Sequence, residues 1–236
     1  MATQDQSSFG AFPDAVTSGR LLLPVVMVVL WELLSIWLGA DLVPGPVETL
    51  DIIAAGFRTG NYASALSNTL LTVLIGFVLA TVAGFVLGIA LGTNDFAYDV
   101  FEPFVFDTYA VPKIVLFPLF LFVFQLGMDQ KIAFGAFHGF FPMLIITMSA
   151  IREVPDIYLN VADSLRLSQF QRARFIFLPF VLVQLVVGLR LGFSLTFLGV
   201  ILAELFAAKS GIGLQLQHAM ANFNTQQIMA IATLLM

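Results

Sequence analysis

"LSNTLLTVLIGFVLATVAGFVLGIAL", residues Leu66 to Leu91, contains no Asp, Glu, Lys or Arg. Crossing the hydrocarbon of a bilayer takes roughly 20 mostly apolar residues in a helix, and this stretch exceeds that length. The rest of the chain agrees with it. Of 236 residues, 59% are hydrophobic and 11% charged, against about 25% charged in a soluble domain. The mean hydropathy is +0.97. The absence of Cys excludes disulfides, thiolate chemistry and Cys-ligated metals. A net charge of −5 offers no field for nucleic acid. The sequence reads as an all-α, polytopic membrane protein.

Working outward from that block, four more are long enough to span. They run from about Leu21 to Leu38, Tyr109 to Leu126, Ile132 to Ile151 and Pro179 to Phe206. A last run, "IMAIATLLM", is too short to cross. The expectation is five complete spans and a sixth truncated at the C-terminus. Residues 1–19 form a polar, loosely ordered tail, and 20–236 the transmembrane domain. A cleaved signal peptide is a poor reading of the first block: it lacks a basic start beyond Arg20 and an A-x-A site, and it carries Glu32 and two Trp.

Orientation follows the distribution of Lys and Arg. With the N-terminus inside, inner segments hold Arg20, Arg152, Arg166, Arg172 and Arg174, and outer ones hold Arg58, Lys131 and Lys209. The bias is modest, because the inner loop 92–103 is purely acidic. It places the connection of residues 152–178 in the cytoplasm.

Two outer segments have character of their own. "DLVPGPVETLDIIAAGFRTGNY" opens on a Pro-Gly-Pro turn and continues with Val47, Leu50, Ile53, Ala54 and Phe57 at helical spacing. This predicts a short amphipathic helix on the outer interface. "AAKSGIGLQLQHAMANFNTQQ" is polar, Gly-punctuated and long enough to meet a partner. Within the charge-free block, Gly76, Ala80, Gly84, Gly88 and Gly92 recur at every fourth position. Such a stripe lets another helix approach closely in lipid, either to pack the bundle or to line a pore or subunit contact.

Charged groups at membrane depth are costly and face a cavity or a partner. Glu32, Lys113, Arg190 and Glu204 are of this kind. Arg190 lies ~16 Å along the helix from Pro179, near the midplane. It would suit an anionic solute in a translocation path; a structural ion pair or carbonyl contact is the alternative. Glu204 lies ~21 Å further along, too far to pair with it. His138, beside Gly139 and Pro142, reads as a packed or path-lining group rather than a metal ligand.

The inner connection carries the most informative pattern. From Asn160 it reads "NVADSLRLSQFQRARFIFLP". This resembles the cytoplasmic loop of the permease subunits of bacterial ATP-binding-cassette importers. That family's pattern is Glu-Ala-Ala, three residues, Gly, nine residues, Ile, any residue, Leu-Pro. Ala162, Ile176, Leu178 and Pro179 match it; Asn160 stands where Glu is usual and Arg166 where Gly is usual. The likeness extends through "VPGPVETL", "VPKIVLFPLFLFVFQLG", "KIAFGAFHGFFPMLIITMSAIREVP" and "GLRLGFSLTFLGVILAELFAAKSGIG". These belong to the branch that imports nitrate, sulfonates, taurine and related small solutes, and that also serves bicarbonate, pyrimidine and flavin precursors.

The resemblance implies a multi-pass subunit of the bacterial inner membrane, paired with a second permease copy, two ATP-binding subunits and an external solute-binding protein. It implies that Asn160, Ala162, Asp163, Ser164, Leu165, Arg166, Leu167 and Ser168 form a coupling helix docking on the ATPase. Without the family, the same loop reads as a rigid element with apolar Leu165, Leu167 and Phe170 among three arginines, or as an anchor at anionic headgroups. The family's glycine permits dihedrals that Arg166 adopts only at a cost of order 1 kcal/mol. That predicts either helix continuing across residue 166, or a compensating contact with the ATPase. No phosphate-binding G-x-x-x-x-G-K-[ST] occurs, so ATP and Mg would sit on the partner chain. H-E-x-x-H and G-x-S-x-G are also absent, which argues against a membrane hydrolase. The function expected is ATP-driven import of a small, anionic solute; the alternative is a gradient-driven carrier or channel. The translocation path is assigned to Arg190, His138, Lys113 and Glu204, with no catalytic residue, metal or cofactor in this chain.

Overall fold

In the computed structural model, residues 12–236 are described, with side chains from residue 22 onward. Every regular element among them is helical. This is what a bilayer demands of a chain whose backbone polar groups find no water. Residues 1–11 of the expected polar tail lie outside the described residues. From Phe12 the backbone is already helical, so the boundary at residue 19 is not an element boundary.

The contacts divide the chain into two compact units. One joins residues 1–62 to 218–236. It contains helix α1 (Phe12–Leu38), α2 (Pro46–Arg58) and α11 (Thr225–Leu235). Gly39 turns the chain after α1 with φ +90°, a conformation only glycine adopts freely. The Trp31 indole then donates to the Pro44 carbonyl at 2.9 Å and fixes the approach to α2. Pro46 starts α2, where its missing N–H would be unpaired in any case. The predicted amphipathic helix is thus present, with Val47 and Leu50 exposed. It is held to α11 by the Gln226 amide donating to Glu48 at 2.8 Å. The run "IMAIATLLM" lies in α11, which has 11 residues.

The other unit, residues 63–217, holds the long helices. They are α3 (Asn61–Gly92), which begins just before the unit, α6 (Met128–Arg152) and α9 (Leu178–Phe206). The small-residue stripe of α3 lies against α6. A Cβ added at Gly84 would sit 2.8 Å from the Phe140 carbonyl oxygen and 3.0 Å from the Leu144 nitrogen. At Gly88 it would sit 3.0 Å from the Leu144 carbonyl, and at Gly92 3.1 Å from that of Met148. Of the two readings left open by the spacing, packing within the bundle is the one this geometry fits. On its other side α6 meets α9 in the same manner, through Gly135 and Gly139 against Thr196 and through Gly199 against His138.

Among the described residues, three helical runs are long and apolar enough to cross a membrane: Asn61–Gly92, Met128–Arg152 and Gln169–Phe206. The first expected block keeps a shorter apolar run, Leu22–Leu38. The third expected block, Tyr109 to Leu126, is not one straight helix. The acidic segment read as a loop is instead α4 (Asp95–Ala110), capped by Asn94 accepting from the Ala97 N–H at 3.0 Å. Val111 is extended before Pro112, as a residue preceding proline tends to be. A 3-10 turn, Lys113–Leu116, and α5 (Phe117–Phe124) follow, bent by 89° from α4. Counted as one broken span, the pair brings the total to four.

The connection expected over 152–178 is also shorter than predicted. It contains α7 (Asp156–Ser164), while α8 (Gln169–Arg172) and a π turn (Ala173–Phe177) run straight into α9 as one helix of 38 residues. Ser168 and Gln171 start that run with a reciprocal capping box, which a hydrophobicity profile does not register.

Candidate coupling and translocation sites

α7 is anchored by one small residue. Ala162 is wholly buried, in a cluster with Ala150, Ile151, Val154, Ile176, Phe177 and Val181. A larger side chain there would lift α7 off the ends of α6 and α9. The remaining positions face outward: Asn160, Asp163, Ser164, Leu165, Arg166 and Ser168 are exposed, and Leu167 is half-buried against the same cluster.

α7 ends at the position where the family has glycine. Arg166 has φ +52°, so the helix does not continue across it. The Leu167 N–H donates to the Ala162 carbonyl at 2.9 Å and the Arg166 N–H to that of Asp163 at 3.0 Å. This is the paired bonding of a Schellman cap, which asks for left-handed backbone at this residue. An arginine pays about 1 kcal/mol for it. Asp163 and Arg172 form an ion pair across the turn, and the Arg172 Nε donates to the Leu167 carbonyl at 3.3 Å. The result is a short helix, a fixed corner and a second helix start, with Ile157, Tyr158, Val161, Leu165 and Phe170 exposed along it.

The four residues assigned to a path are not brought together by any hydrogen bond or ion pair. Glu204 is fully buried. It pairs with Lys131 at 2.9 Å, accepts from the Thr69 hydroxyl at 2.9 Å and from the Gly213 N–H at 3.0 Å. Lys131 also donates to the Ser210 carbonyl at 3.0 Å, and the Ile212 N–H donates to Thr69 Oγ1 at 2.9 Å. This geometry gives Glu204 a different setting from the expected one. Its carboxylate binds the end of α9 to α3, α6 and the start of α10 (Ile212–Ala221), with no face left for a solute. Losing one partner of such a buried pair costs about 3–5 kcal/mol, because the other charge stays behind uncompensated. Lys131 was assigned to an outer loop; it is in the first turn of α6. The available signal was the intramembrane Glu204 itself, which required a cation somewhere.

His138 is buried, with Nδ1 2.9 Å from the Phe134 carbonyl and its ring 4.5 Å from that of Phe134. It fills the α6–α9 contact. Lys113 lies at the break between α4 and α5, donating to the Tyr109 carbonyl at 2.8 Å, with its ammonium 4.4 Å from the Tyr109 ring and 5.3 Å from that of Phe141. Arg190 differs from the other three. It is exposed near the middle of α9, and its guanidinium has no hydrogen bond or ion pair among the described residues. No group of three or more His, Cys, Asp or Glu placed to hold a metal occurs among the described residues.

These features, a Gly-packed helical bundle with an exposed capped helix between two of its long members, define a membrane transport subunit. Residues 80–236 match the family described as binding-protein-dependent transport system inner membrane component. The chain belongs to this family, the permease subunits of ATP-binding-cassette importers, in the branch with the nitrate, sulfonate and taurine permeases. It is similar to the nitrate import permease protein NrtB of Synechococcus elongatus, 30% identical over 201 residues, 81% of this chain and 72% of the relative. A protein named for aliphatic sulfonates transport, SsuC of Bacillus subtilis, is 28% identical over 213 residues, 89% of this chain and 77% of the relative. The taurine transport system permease protein TauC of Escherichia coli is 26% identical over 214 residues, 88% and 78% of the two chains. The protein is therefore a multi-pass inner-membrane transport component rather than an enzyme.

Proposed function

We propose that this chain forms the translocation path of an ATP-driven importer for a small anionic solute handed over by an external binding protein. ATP and Mg are bound by a separate pair of ATPase subunits, and the permease works as a pair with a second copy. The N-terminus is cytoplasmic, the spans number six with α11 belonging to the last, and the domain extends over residues 20–236 behind the short tail. Nucleotide-driven closure of the ATPases presses on residues 160–168, and the bundle opens outward in response.

The observation that carries this proposal is the built form of that segment. A rigid corner whose apolar residues and arginines face outward suits transmission of force, which a flexible loop would absorb. Anchoring at anionic headgroups would need the charges but not the cap. The anionic solute is supported by the unpartnered Arg190 and by the names of the relatives. A gradient-driven carrier would need an accessible intramembrane acid; Glu204 is committed to Lys131, which leaves Glu32, exposed in the apolar run of α1, as its one candidate among the described residues.

Copurification tests the proposal. Tagged chain expressed with candidate ATPase subunits that carry the phosphate loop it lacks should retain one of them in detergent, and lose it when Leu165 and Phe170 are both replaced by Asp. Retention of the ATPase by that double variant would contradict docking at this segment.

A further inference from the structure

We propose that Arg152 is a positioning residue that makes α4 move with the coupling segment; the inference rests on the coupling role of α7 proposed above. α4 has no buried residue. Its far end reaches the bend of 89° after Val111 and Pro112, where the Tyr109 ring lies 6.2 Å from that of Phe141 on α6. Its near end follows α3 after Thr93 and Asn94 and is also gripped by a side chain of α6. Arg152, the last residue of α6, pairs with the Asp95 carboxylate and donates to the Asn94 carbonyl at 3.4 Å. Its guanidinium carbon also lies 4.1 Å from the centre of the Tyr98 ring, whose hydroxyl donates to Glu102 at 2.7 Å.

An ion pair with so exposed a carboxylate, 91% accessible at Asp95, contributes little by itself. Stacking over Tyr98 adds a second, directional hold, because a planar guanidinium is attracted to the ring face. Together they fix the first turn of α4 to one point. That point stands beside the coupling segment. Glu153, the next residue, accepts from the Gln184 amide of α9 at 2.6 Å, and α7 starts at Asp156 after Pro155. The dipeptide Arg152–Glu153 therefore joins α4, α6 and α9 immediately before α7. A polar cleft of about 450 Å³, walled by Asp95, Arg152, Asp156, Gln169 and Arg172 among others, separates the tether from the start of α8. The cleft leaves α7 room to shift, and the tether is what carries that shift to α4.

The chain has no cysteine, so spin labels go only where cysteines are introduced. With labels at Val100→Cys on α4 and Ile157→Cys on α7, both exposed positions, the permease in nanodiscs should give one narrow distance distribution. Arg152→Gln should lose that narrow distribution, and the swap Arg152→Asp with Asp95→Arg should recover part of it. An unchanged distribution in Arg152→Gln overturns the tether. If that variant does not fold, Asp95→Asn, at an exposed side chain, should broaden the distribution instead, and no broadening there overturns it equally. In the complex with ATPase subunits, Arg152→Gln should lower solute taken up per ATP hydrolysed by about fivefold or more, the size of an ordinary coupling between sites. On adding nucleotide to the complex, α4 and α7 should shift together at an unchanged label separation; a shift of α7 that leaves α4 behind overturns the inference, whereas no shift of α7 contradicts its coupling role.

Discussion

Arg166 occupies left-handed backbone that most L-residues avoid. Replacing it with glycine should raise stability toward unfolding, by at most about 1 kcal/mol because glycine also gains freedom in the unfolded chain. A thermal-melt comparison in detergent reads this directly. Charge reversal, Arg166→Glu, separates the side chain's role from its backbone. Contact with an acidic ATPase surface predicts loss of solute-stimulated hydrolysis, whereas anchoring at headgroups predicts a change of only about 1 kcal/mol in membrane binding. Unaltered stimulation in an intact complex would refute a coupling role for this residue. Arg190 poses a similar choice. With no partner among the described residues, Arg190→Ala should leave assembly intact and impair uptake of an anion while sparing ATP binding. Failure to assemble would make Arg190 a contact between subunits, and normal uptake would remove it from the path.

Among the elements, the contact of α3 with α6 is tightly constrained. Gly84 has no room for a side chain: its virtual Cβ meets backbone, which cannot rotate away. Gly84→Val should therefore destabilise the bundle by about 1–3 kcal/mol or prevent its folding, as overpacking of a tight contact does. Substituting Val82, exposed on the same helix, by Ala should be nearly silent in the same melt. This contact was legible in the sequence because a four-residue spacing of small side chains is a local pattern, and so was the amphipathic α2. The segment proposed for coupling was marked out by Ala162, Ile176, Leu178 and Pro179. Other features were not legible. Lys131 and Glu204 are 73 residues apart, and no periodicity links two single charges across that distance. The first half of α4 was read as a loop because Asp95, Asp99 and Glu102 lower its hydropathy, although Asn94 supplies a helix start and these three acids fall on one face. The left-handed Arg166 could be narrowed only to alternatives, since the sequence offers an arginine at a position where backbone geometry favours glycine.

For the whole molecule, the family and the helical bundle establish a transport subunit, and its proposed energy source is the claim on which the rest depends. The chain contributes no phosphate loop, the one fully buried carboxylate among the described residues is committed to a lysine, and the exposed corner between α6 and α9 suits the proposed docking. The most direct measurement is uptake of labelled nitrate, sulfonate or taurine into proteoliposomes containing this chain, its binding protein and the ATPase subunits. The account predicts uptake by at least one of these that requires ATP, ceases when the ATPase subunits are omitted and is insensitive to an ionophore. Uptake that persists without the ATPase, or that an ionophore alone abolishes, would contradict it.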